Sequence, residues 1–315
     1  MALNLHHLRI FTSVAERGGF SRAAAALRLS QPAVSKSVAE LERQLGATLF
    51  DRTARATTLT DAGTVLFARA RELFAVERSA EEELLALKGL TGGILRIAAS
   101  TTIATYLLPP YLARFGAAYP RVRLRVSSAN TRDVARAMLG RRVDIALVEG
   151  PVEHARLEAL PWRDDDLVVI GPPGHVLASR RRVSVADLEH ASFIVRERGS
   201  GTRRVAEEAL AARGITVKIA LELASTEAIK QAVAAGLGLA IVSRAAIGDQ
   251  LALGRIVMLP VAGMSFARVL TELRLVGRMP SAASVAFREL LGMPGATRTS
   301  RARNAEGKVL KRELP

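Results

Sequence analysis

Residues Ser30-Gln31-Pro32-Ala33-Val34-Ser35-Lys36 restrict the fold more than any other stretch, because they start one helix just after another must end. Ser30 is a good N-cap, since its hydroxyl can accept from an otherwise unpaired first-turn N–H. Pro32 falls in the first turn, where a missing N–H costs nothing, so it marks a beginning and not a break. The amphipathic run that follows ends near Leu45-Gly46. Ahead of it, Ser21 is expected to cap a short alanine-rich helix, Ala23 to Leu27, leaving Arg28-Leu29 for a tight turn. An earlier helix is predicted where Leu5, Leu8, Ile10, Phe11, Val14 and Ala15 recur at helical spacing until Gly18-Gly19 stops the run. Thr48 to Leu59, rich in Thr and Arg, suit a two-stranded wing. Residues 3–60 therefore read as an all-α module carrying a wing.

The pattern then lengthens. After a Thr60-Asp61 cap, Leu66, Ala70, Leu73, Ala80, Leu84 and Leu87 follow a four-three alternation, with Glu77 filling one position of the seam. The spacing predicts one long linker helix over 61–88 that pairs with a second copy, followed by a glycine-rich hinge at 89–93. From Ile94 onward, strands and helices alternate. Strands are expected at Ile94–Ala99, Val122–Ser127 and Asp144–Val148, with helices at Tyr106–Ala118 and Thr131–Gly140. A second set comprises strands at Leu167–Ile170, Phe193–Val195, Ile219–Leu223 and Leu239–Val242, with helices from Arg203 and from Glu227. Leu270–Val276 and Ala283–Leu291 supply a last strand and helix. Such alternation implies a mainly parallel sheet covered by helices. Two α/β lobes are expected within 94–292: lobe I from 94–165 and 268–292, lobe II from 166–267. The chain is expected to cross between them at Val148–Pro151 and Phe266–Arg268. Residues 293–315 are polar and basic and read as a disordered tail.

Composition narrows the classes. A chain of 315 residues, 49% hydrophobic, is long enough for two or three domains. Its 45 Lys+Arg against 30 Asp+Glu, a net charge of +15, favour a polyanionic partner. With no cysteine there is no disulfide framework, thiolate nucleophile or Cys-type zinc site. No signal-peptide pattern is present, and no run approaches the roughly 18 apolar residues of a membrane span. A cytoplasmic location with no membrane partner is the expectation. No Gly-x-Ser-x-Gly elbow, phosphate-loop lysine or metal cluster occurs, and His6, His7, His154, His175 and His190 share no ligand spacing. The chain is not expected to be an enzyme or to carry a cofactor.

Residues 3–60 closely resemble the winged helix-turn-helix of LysR-type transcription regulators. The resemblance is carried by Leu8, Phe11, Val14, Ala15, Gly18, Gly19, Phe20 and Ser21, then Ala23-Ala24, Leu27, Ser30 to Ser35, Leu41-Glu42, Leu45-Gly46, Leu49-Phe50, Arg52, Thr60, Ala62 and Gly63. It continues through the linker helix to about residue 292. The fold class it implies is an N-terminal all-α winged helix-turn-helix plus long linker helix, followed by a C-terminal α/β two-lobed, periplasmic-binding-protein-like effector domain. One helix of the pair then enters the DNA major groove while its neighbour braces it. Gln31, Pro32, Ala33, Ser35 and Lys36 would meet base edges, Ser37, Arg52 and Arg55 would contact phosphates, and Ser21 is also implied as a DNA-binding residue. The partners implied are double-stranded DNA at inverted-repeat promoter sites, a second copy through the linker helix, a tetramer of two such dimers, and RNA polymerase.

In the effector domain, Ser100-Thr101-Thr102 and Gly199-Ser200-Gly201-Thr202-Arg203 each follow a strand and open a helix. Hydroxyls, backbone N–H groups and an electropositive helix end suit a small anionic metabolite there, and Arg203 adds a full charge. Cap-only roles for these residues remain the bland alternative. Asn130-Thr131 and Ser225-Thr226 occupy comparable places. The stretches ASTTIATYLLP, DIALVEGPV, RERGSGTR and ELASTEAIKQAVAAGLGLAIVSR resemble regulators of carbon-fixation operons and of sulfite or cysteine metabolism. The rival readings are an effector-independent architectural DNA-binding protein and a cytoplasmic solute-binding protein using only the two lobes.

Overall fold

The computed structural model describes residues 3–52, 57–86, 92–264 and 266–293. The chain divides into two compact units, the first ending at Leu84 and the second beginning at Leu85.

The amino-terminal unit opens with α1 (Leu5–Arg17), α2 (Phe20–Leu27) and α3 (Gln31–Leu45). Ser30 caps α3, accepting from Ala33 N at 3.3 Å. The cap of α2 is Gly19 and not Ser21, which lies inside the first turn and is exposed. Strands β1 (Phe50–Arg52) and β2 (Thr57–Leu59) pair antiparallel as the wing. Glu42 of α3 holds the wing's base by accepting from Leu49 N at 2.8 Å and Phe50 N at 3.3 Å. Helix α4 (Asp61–Ala86) starts against that base. Thr60 donates to Thr48 O and accepts from Gly63 N, and a Cβ at Gly63 would fall 2.0 Å from Leu49 O. Only glycine permits that approach.

The seam expected along α4 is divided. Ala70 is buried in the core of the amino-terminal unit together with Phe74, and Leu66 packs against it. Glu77 pairs with Arg9 of its own chain at 2.6 Å, and that guanidinium also lies over Phe74. An apolar set on another side of the helix, Val65, Leu73, Val76 and Leu84, is exposed. Leu87, the hinge glycine Gly89 and the tail from residue 294 lie outside the described residues.

The carboxy-terminal unit is built on a mixed seven-stranded sheet, not a mainly parallel one. In lobe I, β3 (Gly93–Ser100) pairs parallel with β4 (Val122–Ala129) and with β5 (Ile145–Glu149). Helix α5 (Pro109–Ala118) and helix α6 (Thr131–Leu139) cover it. The helix predicted from Tyr106 is broken: Ile103–Leu107 form a wide turn, and Pro109-Pro110 start α5 afresh. The long strand β6 (Leu157–Gly171) pairs antiparallel with β11 (Phe266–Leu275) along most of its length, then with β9 (Ala240–Ser243) and β10 (Val257–Met258). Lobe II adds the parallel pair β7 (Ser192–Arg196) and β8 (Lys218–Leu223), with α7 (Gly201–Ala211), α8 (Thr226–Ala234) and α9 (Gly248–Ala252). Helix α10 (Ala282–Leu290) returns to lobe I, where Phe287 stacks edge-on against Phe115.

The apolar cores separate along β6 and β11. Leu157 and Leu270 to Leu275 pack in lobe I, whereas Leu167 to Ile170 and Phe266 pack in lobe II. The first crossing therefore runs inside β6, around Asp164 to Asp166, and not at Val148–Pro151 as the sequence suggested. The second falls on β11 beside Arg268.

Candidate functional site

In the amino-terminal unit, Val34, Val38 and Leu41 are fully buried and fix one face of α3. That leaves Gln31, Pro32, Ala33 and Lys36 exposed, with Ser35 half-buried. Ser37 is 8% exposed and lies on the core side, so the phosphate contact expected of it is withdrawn. Arg52 ends β1 opposite Thr57, and Arg55 lies outside the described residues. A helix seated on a small core with its first turn turned outward is the arrangement that enters a major groove.

In the carboxy-terminal unit, the two hydroxyl-bearing segments converge on a residue that the sequence reading had placed only in a crossing. Glu149 ends β5 and is 1% exposed. Its Oε1 accepts from Ser100 Oγ at 2.7 Å, Thr102 N at 2.9 Å and Ile103 N at 3.3 Å. Its Oε2 accepts from Thr202 Oγ1 at 2.6 Å and Arg268 Nη1 at 3.1 Å. Thr131 donates to the Glu149 carbonyl at 3.3 Å. Gly201 makes this closeness possible, since a Cβ there would lie 1.3 Å from that same carbonyl oxygen. Burial pushes the Glu149 carboxyl up, but the Arg268 charge and the Thr202 and Ser100 hydroxyls outweigh it and hold it below its ordinary value.

Arg268 is held from its other side by Asp165, with Nε at 2.7 Å and Nη2 at 2.6 Å from Oδ2, and Ser243 donates to Oδ1. These charges lie on the two crossing strands, so the crossing is also an ion-pair cluster. A second buried guanidinium, Arg196, donates to Thr226 Oγ1 at 3.2 Å and Thr101 Oγ1 at 3.3 Å, bridging the lobes, and pairs with Glu197. Tyr106 of lobe I donates to Glu227 of lobe II at 3.1 Å. Buried Lys230 is 2.8 Å from Glu227 and donates to Ala246 O. Burial lowers its pKa, but hydrogen bonds to Glu227 and Tyr106 raise it on balance.

The remaining candidates have plainer duties. Asn130, Ser200 and Ser225 accept from Asp133 N, Arg203 N and Ala228 N, which are capping bonds. Gly199 accepts from Arg132 N across the lobes. Arg203 brings no spare charge, because Glu207 and Glu222 both pair with it at 2.6 Å. Glu149, Asp165, Arg196 and Arg268 were missed as site residues. The signal was faint: a Glu and an Arg inside otherwise apolar strand segments, where charges stay only when paired. Beside this cluster, α6, the segment after β5 and the start of α7 border a cavity of about 730 Å³ that includes Arg132, Arg136, His154, Arg198 and Arg204. Among the described residues no cluster could hold a metal ion, and no helix is long and apolar enough to cross a membrane.

A winged helix joined to a two-lobed α/β domain with a charged cluster between its lobes defines a ligand-responsive DNA-binding protein. The chain belongs to the LysR family of bacterial transcription regulators. Residues 5–64 match the bacterial regulatory helix-turn-helix protein model of the lysR family, and residues 88–293 match the LysR substrate binding domain. The RuBisCO operon transcriptional regulator of Allochromatium vinosum is 38% identical over 291 residues, covering 92% of this chain and 96% of that one. The CcmR regulatory domain of Synechocystis PCC6803, solved in complex with 2-PG, is 31% identical with a TM-score of 0.60, over 63% of this chain and 95% of that one. CbnR, solved full-length in complex with its target DNA, shares the fold at 21% identity and a TM-score of 0.67, over 92% of this chain and 99% of that one. The matched relatives are regulators and not enzymes.

Proposed function

We propose that this regulator binds promoter DNA through α3 and responds to a small acidic metabolite held between its lobes. The observation that carries the effector class is the donor set around Glu149: two hydroxyls, two backbone N–H groups and a guanidinium, all directed at one carboxylate. Such a set holds acids, and the 2-PG complex of the CcmR domain agrees in kind. Ser100 to Thr102, Asn130-Thr131, Gly199 to Arg203 and Ser225-Thr226 supply the walls and caps of this region, and the adjoining basic cavity gives a larger anion room to extend. The test is calorimetric titration of the full chain with a panel of phosphorylated and carboxylate metabolites, followed by footprinting with any that bind. At least one is expected to bind and to change the footprint; if none binds, the acidic-effector reading is lost.

On the DNA side, Gln31, Pro32, Ala33, Ser35 and Lys36 are assigned to base edges, and Ser21, Arg52 and Arg55 to the backbone. Two copies pair through the exposed Val65, Leu73, Val76 and Leu84 face of α4, which sets two α3 helices on inverted half-sites about 34 Å apart or a multiple of it. Val76→Asp places a charge in that contact without touching the core of the amino-terminal unit. Sedimentation velocity is expected to show smaller species for the variant than for wild type, and an unchanged sedimentation profile would remove α4 as the pairing helix.

A further inference from the structure

A carboxylate of the chain itself sits where an acid would bind. Glu149 accepts from Ser100, Thr102 and Ile103 of lobe I, from Thr202 of lobe II, and from Arg268 of the crossing strand β11. A carboxylate has about four lone-pair sites. Ser100 Oγ, Thr102 N, Ile103 N and Thr202 Oγ1 each have one hydrogen to give and give it to Glu149, so an acid that takes these four donors must displace that carboxylate.

We infer that Glu149 is a built-in ligand of the effector site: its carboxylate competes with the effector's acid group, which gains these donors only by exchange. This rests on the acidic-effector reading above. Charge balance points the same way. Arg196 and Arg268 face Glu149, Asp165 and Glu197, which leaves the cluster with one uncompensated negative charge. Adding an acid to it puts a further negative charge into a buried site, where desolvation is costly and few waters screen it. Replacing one carboxylate by another leaves the balance unchanged.

The exchange also links occupancy to lobe geometry. With Glu149 in place, Thr202 of α7 is tied to Ser100 and the turn after β3 through one carboxylate, so this side chain itself links the two lobes. An acid that takes the seat inherits those ties and frees Glu149 and the Gly150 that follows it. Gly150 has φ of +113°, a conformation glycine adopts readily, and a Cβ there would come within 3.2 Å of Gly201 Cα. The lobe ties are then held by a group that is not attached to β5, and the release of Glu149 and Gly150 is the difference between the two states that a ligand switch requires.

The experiment uses the full chain as wild type, Glu149→Ala and Glu149→Gln, titrated with sodium acetate and sodium sulfate at constant ionic strength against chloride. Melting temperature and calorimetric affinity are the readouts. An internal occupant lowers apparent affinity in proportion to the time it fills the site, so Glu149→Ala is expected to bind acetate about tenfold more tightly than wild type or better. Acetate should also raise its melting temperature while leaving the wild type's nearly unchanged. Glu149→Gln keeps the side-chain shape and carries the test if the alanine variant does not fold; it is expected to bind sulfate more tightly than wild type. Adding Ser100→Ala to either variant should reverse the gain. Equal affinity for the three proteins overturns the competition while leaving the acidic-effector reading intact. No anion binding by any of them overturns both.

Discussion

Replacing Arg268 with methionine is expected to destabilise the two-lobed unit by about 3–5 kcal/mol, the cost of removing one member of a buried ion pair. Arg268 is the sole guanidinium seen between Glu149 and Asp165 among the described residues, and all three side chains are almost completely buried. Methionine fills much of the same volume, so the loss comes from two buried carboxylates left without a cation. Thermal unfolding of the full chain measures it. The control is the triple variant Glu149→Gln, Asp165→Asn, Arg268→Met, which removes every charge and should recover most of the lost stability. If the triple variant melts as early as the single one, packing and not charge holds the crossing.

The same variant reverses a pH dependence. In the wild type the folded-state pKa of Glu149 is depressed, so its stabilising contribution is present above the unfolded pKa and is lost as pH falls through the lower folded value. Without Arg268, burial dominates and the folded pKa rises above the unfolded one. The variant then loses stability as pH rises between those two values. Arg268→Met is therefore expected to melt higher at about pH 5 than at about pH 7.5, relative to wild type at each.

These charges explain why the amino-terminal half was legible in sequence and the crossing was not. Ser30, Pro32 and Gly46 act within a few residues of themselves, so capping and turn chemistry expose them locally. Ser100, Ser200 and Ser225 were found for the same reason, being strand ends that open helices. Glu149 and Arg268 are 119 residues apart, and Asp165 and Arg268 are 103 apart, separations across which no periodicity speaks. Strand β6 hid itself further. The strand was expected only from Leu167, because Pro161 and the run Asp164-Asp165-Asp166 are poor strand residues. Its pairing with β11 overrides that preference, and the charge at Asp165 stays because Arg268 receives it. In α4 the four-three spacing located the helix but not its partners. Ala70, set in the same stripe as Leu73, turned out to pack on its own unit. Period alone cannot say which neighbour a stripe faces.

In the amino-terminal unit, Gln31→Ala and Lys36→Ala are each expected to weaken binding to a selected promoter site about 5- to 150-fold, equivalent to about 1–3 kcal/mol for a lost base contact. Both side chains are exposed, whereas Val34, Val38 and Leu41 carry the packing of α3, so neither change should alter melting of the amino-terminal unit. Binding measured on the selected site and on scrambled DNA over a salt series separates the roles. Glutamine can pair with adenine through both its amide groups, so Gln31→Ala should lose affinity on the selected site and little on scrambled DNA. Lysine can serve a guanine or a phosphate. If Lys36 reads a base, its removal behaves like that of Gln31; if it meets a phosphate, affinity falls uniformly and the salt slope drops by about one. Base positions read separately should give nearly additive losses in the double variant. Should both variants bind the selected site as tightly as wild type, the exposed first turns of α3 do not enter the groove, and the recognition surface must be sought on another face of this unit.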